Sequence, residues 1–412
     1  MSAPHRSAPP PAATTAPDAT DALPAPSVAA AVRPAAAVML SVITLSHLVT
    51  DAFTALLTPL LPALRATYGV SIAQTAVLVA VSSLVGSMLQ PAFGMLADRS
   101  DRRLIAALGP LVCAAGMALL GLAPSFAAVA VLVTLGGVGS GLFHPAAIAY
   151  VHQGSQARRR GLFAALFAAG GTGGQALGPL AATTLGLGRL HWLLPVGIAA
   201  GALSWATTPS ARVAVGTTRR WRDYAAVFRG PMRTLWAASV LRSLGTISYI
   251  SLVGFVLTAR GQAWHIGPTL ATFSLGSAAG GILGGLLSDR LGRIAVLRSS
   301  VLAGIPLFVA LVYSTPGFWW YYPLTALVGV VVNANTPVAI VLAQEYAPDH
   351  VATASALMMG FAWGTSGVLF TLVGALADLT SPRTAMVAAI LLLVPALWLT
   401  VRLPEPEPHA VG

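Results

Sequence analysis

Apolar runs long enough to cross a lipid bilayer recur twelve times along this chain, at about residues 35–63, 71–97, 103–123, 125–151, 158–186, 190–208, 232–258, 266–288, 294–314, 317–345, 351–378 and 383–402. A helix rises about 1.5 Å per residue, so some twenty residues traverse a hydrocarbon layer about 30 Å thick. Of the 412 residues, 56% are hydrophobic and 8% charged, whereas a soluble domain carries roughly a quarter charged residues. No soluble core has a use for so much apolar sequence, and the expected fold class is an all-α membrane protein with twelve transmembrane helices.

The formal net charge of +11 raises the question of nucleic acid, and the positions of the charges answer it. All 23 basic residues are arginines, and they sit in short gaps between apolar runs, as in RSDRR, ARRR, TTRRWRDY and SDRLGRIAVLR. No run interleaves them with aromatics, so no nucleic-acid partner is expected. With both termini inside, 18 arginines fall on the cytoplasmic side and four (Arg65, Arg189, Arg260 and Arg383) outside. That asymmetry predicts a multi-pass protein of the cytoplasmic (inner) membrane, its partners being the lipid bilayer, a small molecule and protons, and its state a monomer. Residues 1–33 are rich in Pro and Ala and read as a disordered cytoplasmic tail. Residues 209–231 form a polar cytoplasmic linker between six-helix bundles at 34–208 and 232–403, and residues 404–412 a second cytoplasmic tail. The one cysteine, Cys113, lies in an apolar run and reads as core.

The halves repeat each other. GMLADRSDRR from Gly94 aligns with GLLSDRLGRI from Gly285 at an offset of 191, VGSGLFHPAAI with VNANTPVAI through Pro145 and Pro337 at 192, and FAAGGTG from Phe167 with FAWGTSG from Phe361 at 194. Three matches in one order indicate a duplicated six-helix unit.

This pattern resembles the major facilitator superfamily, whose two pseudo-symmetric six-helix bundles are related by an axis along the membrane normal. The stretch holding Gly94, Leu96, Asp98, Arg99, Arg102 and Arg103 is similar to the superfamily's signature between its second and third helices, with Asp101 where that signature prefers glycine. The second copy keeps the glycine as Gly292. SHLVTDAF, LQPAFGMLADR, GSGLFHP, AQEYAPDHVATASALMMGFAWG and GALADLTSP narrow the resemblance to the fosmidomycin-resistance-like branch of drug efflux proteins. Ala146 and Ala149 stand where that branch's pattern carries a Glu and an Arg, a departure that leaves the fold untouched and the namesake substrate open.

Asp51 and His47 are four residues apart, hence on one helical face, at a depth where a charge costs about 3 kcal/mol or more. They are the candidate proton-coupling residues, the alternative being a fixed polar contact between helices. Arg242 lies 191 residues after Asp51 and is its counterpart under the repeat. The resemblance implies that both face the central cavity. There Arg242 would pair with Asp51 or bind an anionic substrate, the plainer alternative being that its side chain reaches the inner interface. His144 precedes Pro145 and reads as a substrate contact, a proton relay or a packing residue. Asn333, Asn335 and Thr336 would form the facing cavity wall.

Gly174, Gly178 and Pro179 resemble the core of a fifth-helix signature associated with proton-coupled export, although small residues at that spacing also let helices pack closely, the reading favoured here. The resemblance further implies a cytoplasmic gate at Gly94, Asp98, Arg99, Arg102 and Arg103, with Asp98 meeting the start of span eleven near Val351. It is continued by Asp289, Arg290 and Arg293 in the second copy and by Gln344 and Glu345 at the end of span ten. No nucleotide-binding loop, metal-ligand cluster or nucleophile triad is visible, so no enzyme activity, metal or cofactor is expected. The reading is a secondary active transporter working by alternating access, with proton-coupled efflux of a drug-like or anionic compound first. Proton-coupled import and a non-transporting membrane sensor are the alternatives.

Overall fold

A computed structural model describes residues 34–155, 160–211 and 227–405. The expected tail at 1–33, most of the linker and the last residues of the chain lie outside that range. Every described element is helical.

Twelve helical spans occupy the twelve apolar runs. The first three are α1 (Ala36–Tyr68), α2 (the bent pair Ile72–Met88 and Gln90–Ala97) and α3 (Arg102–Ala118). The amino-terminal half is completed by α4 (Phe126–Gly154), α5 (Arg160–Leu185) and α6 (Leu187–Thr207). The second half comprises α7 (Gly230–Ala259), α8 (Ala263–Leu291), α9 (Arg293–Tyr313), α10 (Tyr321–Tyr346), α11 (Thr353–Leu379) and α12 (Pro382–Val401). Among the described residues nine of these are long and apolar enough to cross a membrane unaided, and the bent α2 makes a tenth. The other two are the 17-residue α3 and the glycine-rich α5.

An even number of spans puts the start of α1 and the end of α12 on one face, here called the terminal face, with the distal face opposite. At the distal face the halves meet. Asp378, at the end of α11, accepts hydrogen bonds from the first backbone N–H groups of α2, Ile72 at 2.9 Å and Ala73 at 2.8 Å. The free N–H groups of a helix start favour such a carboxylate. Glycines set the closeness. A Cβ at Gly374 would lie 2.6 Å from that of Ala76, and one at Gly254 would lie 3.2 Å from the Pro62 ring. The distal half of α5 lies on α8, where the Ser274 hydroxyl donates to the Gln175 carbonyl at 3.3 Å.

Toward the terminal face the halves part. Both α2 and α11 contain one widened π-helical turn, Leu84–Met88 and Leu357–Phe361, and the two turns lie against each other. A Cβ at Gly360 would stand 3.0 Å from the Ser87 carbonyl oxygen. Beyond this crossing α2 bends by 42° and packs on α3 and α4 of its own half, while the start of α11 packs on α10 of the other. Such turns relax the helical bond ladder and account for a bend without proline.

Candidate functional site

The cavity between the halves measures about 430 Å³. Its amino-terminal wall includes Asp51, Thr54, Thr58, Ser83, Ser87, Gln90, His144 and Gln175, and its carboxy-terminal wall Thr246, Ser251, Ser274, Ser277, Asn333 and Trp363. Hydroxyl and amide side chains are interspersed with apolar ones such as Leu57, Val79, Ile250 and Phe273, and the formal charges on the wall reduce to Asp51 and whatever His144 carries.

The local sequence explains how Asp51 reaches this space. The regular turns of α1 break at Ala55 and Leu56, where the Asp51 carbonyl accepts from the Ala55 N–H at 3.0 Å. Pro59 follows shortly and has no N–H to continue the ladder. Gly171, Gly174 and Gly178 of α5 press on the same face of α1. A Cβ at Gly174 would lie 2.8 Å from the Ala52 nitrogen, and one at Gly178 would lie 2.8 Å from the Ala55 Cβ. At Gly171 it would fall 2.6 Å from Nε2 of His47 and 2.9 Å from Oδ2 of Asp51.

Asp51, His47 and His144 form one cluster. His144 Nε2 lies 3.2 Å from Asp51 Oδ1, His47 Nε2 lies 3.6 Å from Asp51 Oδ2, and the two Nε2 atoms are 3.2 Å apart. The Gln175 amide donates to Asp51 Oδ2 at 3.3 Å. The far side of each ring is tied to the backbone, His47 Nδ1 to the Phe167 carbonyl at 2.7 Å and His144 Nδ1 to the Ser140 carbonyl at 2.8 Å. A carbonyl can only accept, so both Nδ1 atoms carry hydrogen. Two neutral rings would then point bare Nε2 lone pairs at each other and at a carboxylate. One further proton, or another cation, is needed for the arrangement to be attractive. Phe167 stacks on the His47 ring with centroids 4.0 Å apart and holds it in place.

Arg242 stands elsewhere. Its Nη2 donates to Ser243 at 3.0 Å, its Nε has no partner among the described residues, and it is not on the cavity wall. The expected contact with Asp51 is absent in this state. The reason lies in α7, the most enclosed span, with 89% of its window buried against 28–50% for the others that pass unaided. Arg242 lies one helical turn before Thr246 on the same side of α7 but is itself buried, and the cavity lining on this helix is Thr246, Ile247, Ile250 and Ser251. Asn335 is buried at 3% exposure and, like Thr336, is not on the wall. Thr336 donates to Asn333, which itself donates to the Ser277 carbonyl at 2.9 Å.

Near the terminal face Arg293 joins Asp289 at 2.6 Å to Glu345 at 3.2 Å, Gln344 donates to Ser355 at 2.8 Å, and Arg290 is exposed. In the first copy Arg103 donates to the Trp205 carbonyl at 2.7 Å and lies 4.2 Å over its ring, Arg102 is buried and Arg99 exposed. The side chain of Asp98 lies outside the described residues. Gly94 packs on Pro145, whose Cβ would stand 3.7 Å from a Cβ added at Gly94, and Pro179 lines the cavity. Asp101 accepts from the Arg103 N–H at 3.0 Å as a helix cap and from the Ser210 hydroxyl at 2.8 Å, which ties down the start of the linker. The second copy turns instead through Gly292, whose φ of 89° suits a residue without Cβ.

Two features escape the sequence. Gln175 touches Asp51, and its only sequence signal is being a lone amide in a glycine-rich span. The expectation of no metal-ligand cluster also needs correction, since His47, Asp51 and His144 offer ligand atoms all within 4.8 Å of one another. His144 is 93 residues from Asp51 in sequence, a spacing that no short motif describes.

A family model described as Major Facilitator Superfamily matches residues 43–371 and 235–411. The chain belongs to the Major Facilitator Superfamily. It is 29% identical over 392 residues to the fosmidomycin resistance protein of Escherichia coli (strain K12), covering 89% of this chain and 93% of that one. It is 27% identical over 368 residues to the MFS-type transporter YfnC of Bacillus subtilis (strain 168), covering 85% and 89%. Among solved structures, a mutant of the nucleoside transporter NupG superposes with a TM-score of 0.72 at 14% identity, covering 89% of this chain and all of that one. A bacterial homologue of the human lysosomal transporter Spinster, inward-facing and unoccupied, gives 0.71 at 16% identity, covering 89% and 96%. This facilitator is thus a multi-pass membrane protein that moves a small molecule by secondary transport, and it is not an enzyme.

Proposed function

We propose that this protein exports a small drug-like compound in exchange for protons, with Asp51, His47 and His144 holding the coupling cation. The carrying observation is the position of that cluster. Asp51 and His144 line a cavity between the halves, which Asp378 joins to α2 at the distal face, while beyond the π-helical turns the bent α2 packs on its own half and the start of α11 on the other. The excess of arginines around the terminal face supports a cytoplasmic location for both termini in the inner membrane, and hence an inward-open state. The hydrogen-bond accounting supports a cation in the cluster, and protons and substrate approach it through the same cavity, as exchange requires. The similarity to the fosmidomycin resistance protein supports export over import. The anionic substrate expected from Arg242 loses its support with that side chain off the wall, and a neutral or amphipathic solute fits the mixed polar and apolar surface.

Proteoliposomes test this with fosmidomycin, the compound in the relative's name, and ethidium as an amphipathic probe. An inside-acid pH gradient is expected to drive uptake of a carried probe, nigericin to abolish it, and Asp51→Asn to remove gradient dependence while leaving slow equilibration. A carried probe whose uptake ignores the gradient would overturn proton coupling. Arg242→Ala is expected to leave ethidium uptake intact.

A further inference from the structure

We propose that His47, Asp51 and His144 form a binding site for a divalent transition-metal ion of the Zn²⁺ class, with a fourth ligand position facing the cavity. The distances carry the argument. Ligand bonds of about 2.0–2.1 Å in a tetrahedron place ligand atoms about 3.3 Å apart. The two Nε2 atoms are 3.2 Å apart and each approaches a different Asp51 oxygen, that of His144 Oδ1 at 3.2 Å and that of His47 Oδ2 at 3.6 Å. One ligand atom from each residue falls within 4.8 Å of the others, so an ion is held once the carboxylate turns to share one oxygen or binds through both. The outer contacts agree. A histidine that ligates through Nε2 donates its Nδ1–H to a carbonyl or carboxylate, and both rings do so, to Phe167 and Ser140. Those bonds hold each Nε2 lone pair turned inward before any ion arrives.

Two imidazoles and a carboxylate suit Zn²⁺, Co²⁺ or Ni²⁺ and are a poor set for Mg²⁺ or Ca²⁺, which prefer all-oxygen shells. Cys113 takes no part, since its thiol is directed to the Thr50 carbonyl at 3.6 Å. Access comes from the cavity, where the His144 side chain is 22% exposed. The site lies wholly on α1 and α4, so an ion there does not clamp the two halves together. It displaces the coupling proton from the same side chains and halts exchange. That consequence rests on the antiport reading, whereas the binding itself does not.

The test uses the full chain purified without a polyhistidine tag and stripped with chelator, then titrated with CoCl₂ and, in equilibrium dialysis, with ZnCl₂. The expected result is the intense visible absorption of four-coordinate Co²⁺ and one strongly bound Zn²⁺ per chain. Asp51→Asn, His47→Ala and His144→Gln are each expected to weaken Zn²⁺ binding by about tenfold or more, while Cys113→Ala leaves it unchanged. Size-exclusion profile and melting temperature of the metal-free variants identify any that misfold, and His144→Ala replaces His144→Gln in that case. Only the weak spectrum of hexa-aqua Co²⁺, or equal affinity in folded ligand variants and wild type, would overturn the site. Gradient-driven exchange with all metal chelated tests the antiport reading separately. Its failure leaves the binding result standing, and the reverse holds too.

Discussion

Removing the Asp378 carboxylate is expected to open the distal face. In the described state that side chain accepts two hydrogen bonds, at 2.9 and 2.8 Å, from the first N–H groups of α2. Both link one half of the molecule to the other and must break for the distal face to part. A hydrogen bond to a charged group is worth about 1.5–3 kcal/mol, with about 0.3–1 kcal/mol more from the helix start. Asp378 is exposed, and water satisfies the carboxylate and the N–H groups once separated. About 1–2 kcal/mol of net preference for the closed distal face remains, so Asp378→Ala shifts the balance between states by about 5–30-fold. The assay exploits the single cysteine. In a Cys113→Ala background, Thr58→Cys on the cavity wall is labelled with a membrane-impermeant maleimide from the distal side. The labelling rate is expected to rise by the same factor in Asp378→Ala. An unchanged rate in a folded variant would show that this contact does not hold the distal face shut.

Three further expectations follow from the packing. Gly178→Ala places a methyl against the Ala52 carbonyl and 2.8 Å from the Ala55 Cβ, and is expected to cost about 1–3 kcal/mol, read as a lower melting temperature in detergent. Asp101→Gly restores the superfamily's preferred residue but removes the cap on Arg103 and the tie to Ser210, so it is expected to lose about 1 kcal/mol and to speed proteolysis within the linker. Arg293→Met leaves Asp289 and Glu345 without their shared partner, and its transport rate is expected to change while Zn²⁺ affinity at the distant His47 site stays the same.

How much could be seen without the fold follows from the range of each signal. Span positions, the duplication and the family were legible because the bilayer imposes a local rule: about twenty apolar residues, then a charged turn. Asp51 announced itself the same way, as a carboxylate at a depth where charge is costly. The i, i+4 geometry of a single helix was enough to put His47 on its face.

Partners across helices were another matter. The repeat paired Asp51 with Arg242 by pseudo-symmetry, yet symmetry of sequence does not fix which side of a helix faces a neighbour. Burial of α7 one turn beyond the cavity lining kept Arg242 off the wall, while the approach of α4 brought His144 from 93 residues off to 3.2 Å. Gln175 and the Phe167 carbonyl that orients His47 entered only with the close contact of α5, which its glycines permit, whereas the Ser140 carbonyl that orients His144 is on that residue's own helix. The chain by itself determined that a charge would be buried near the middle of α1, because that depends on composition along one helix. Only the packing of three helices decided what that charge holds, because the ligand geometry is set by distances between segments far apart in sequence.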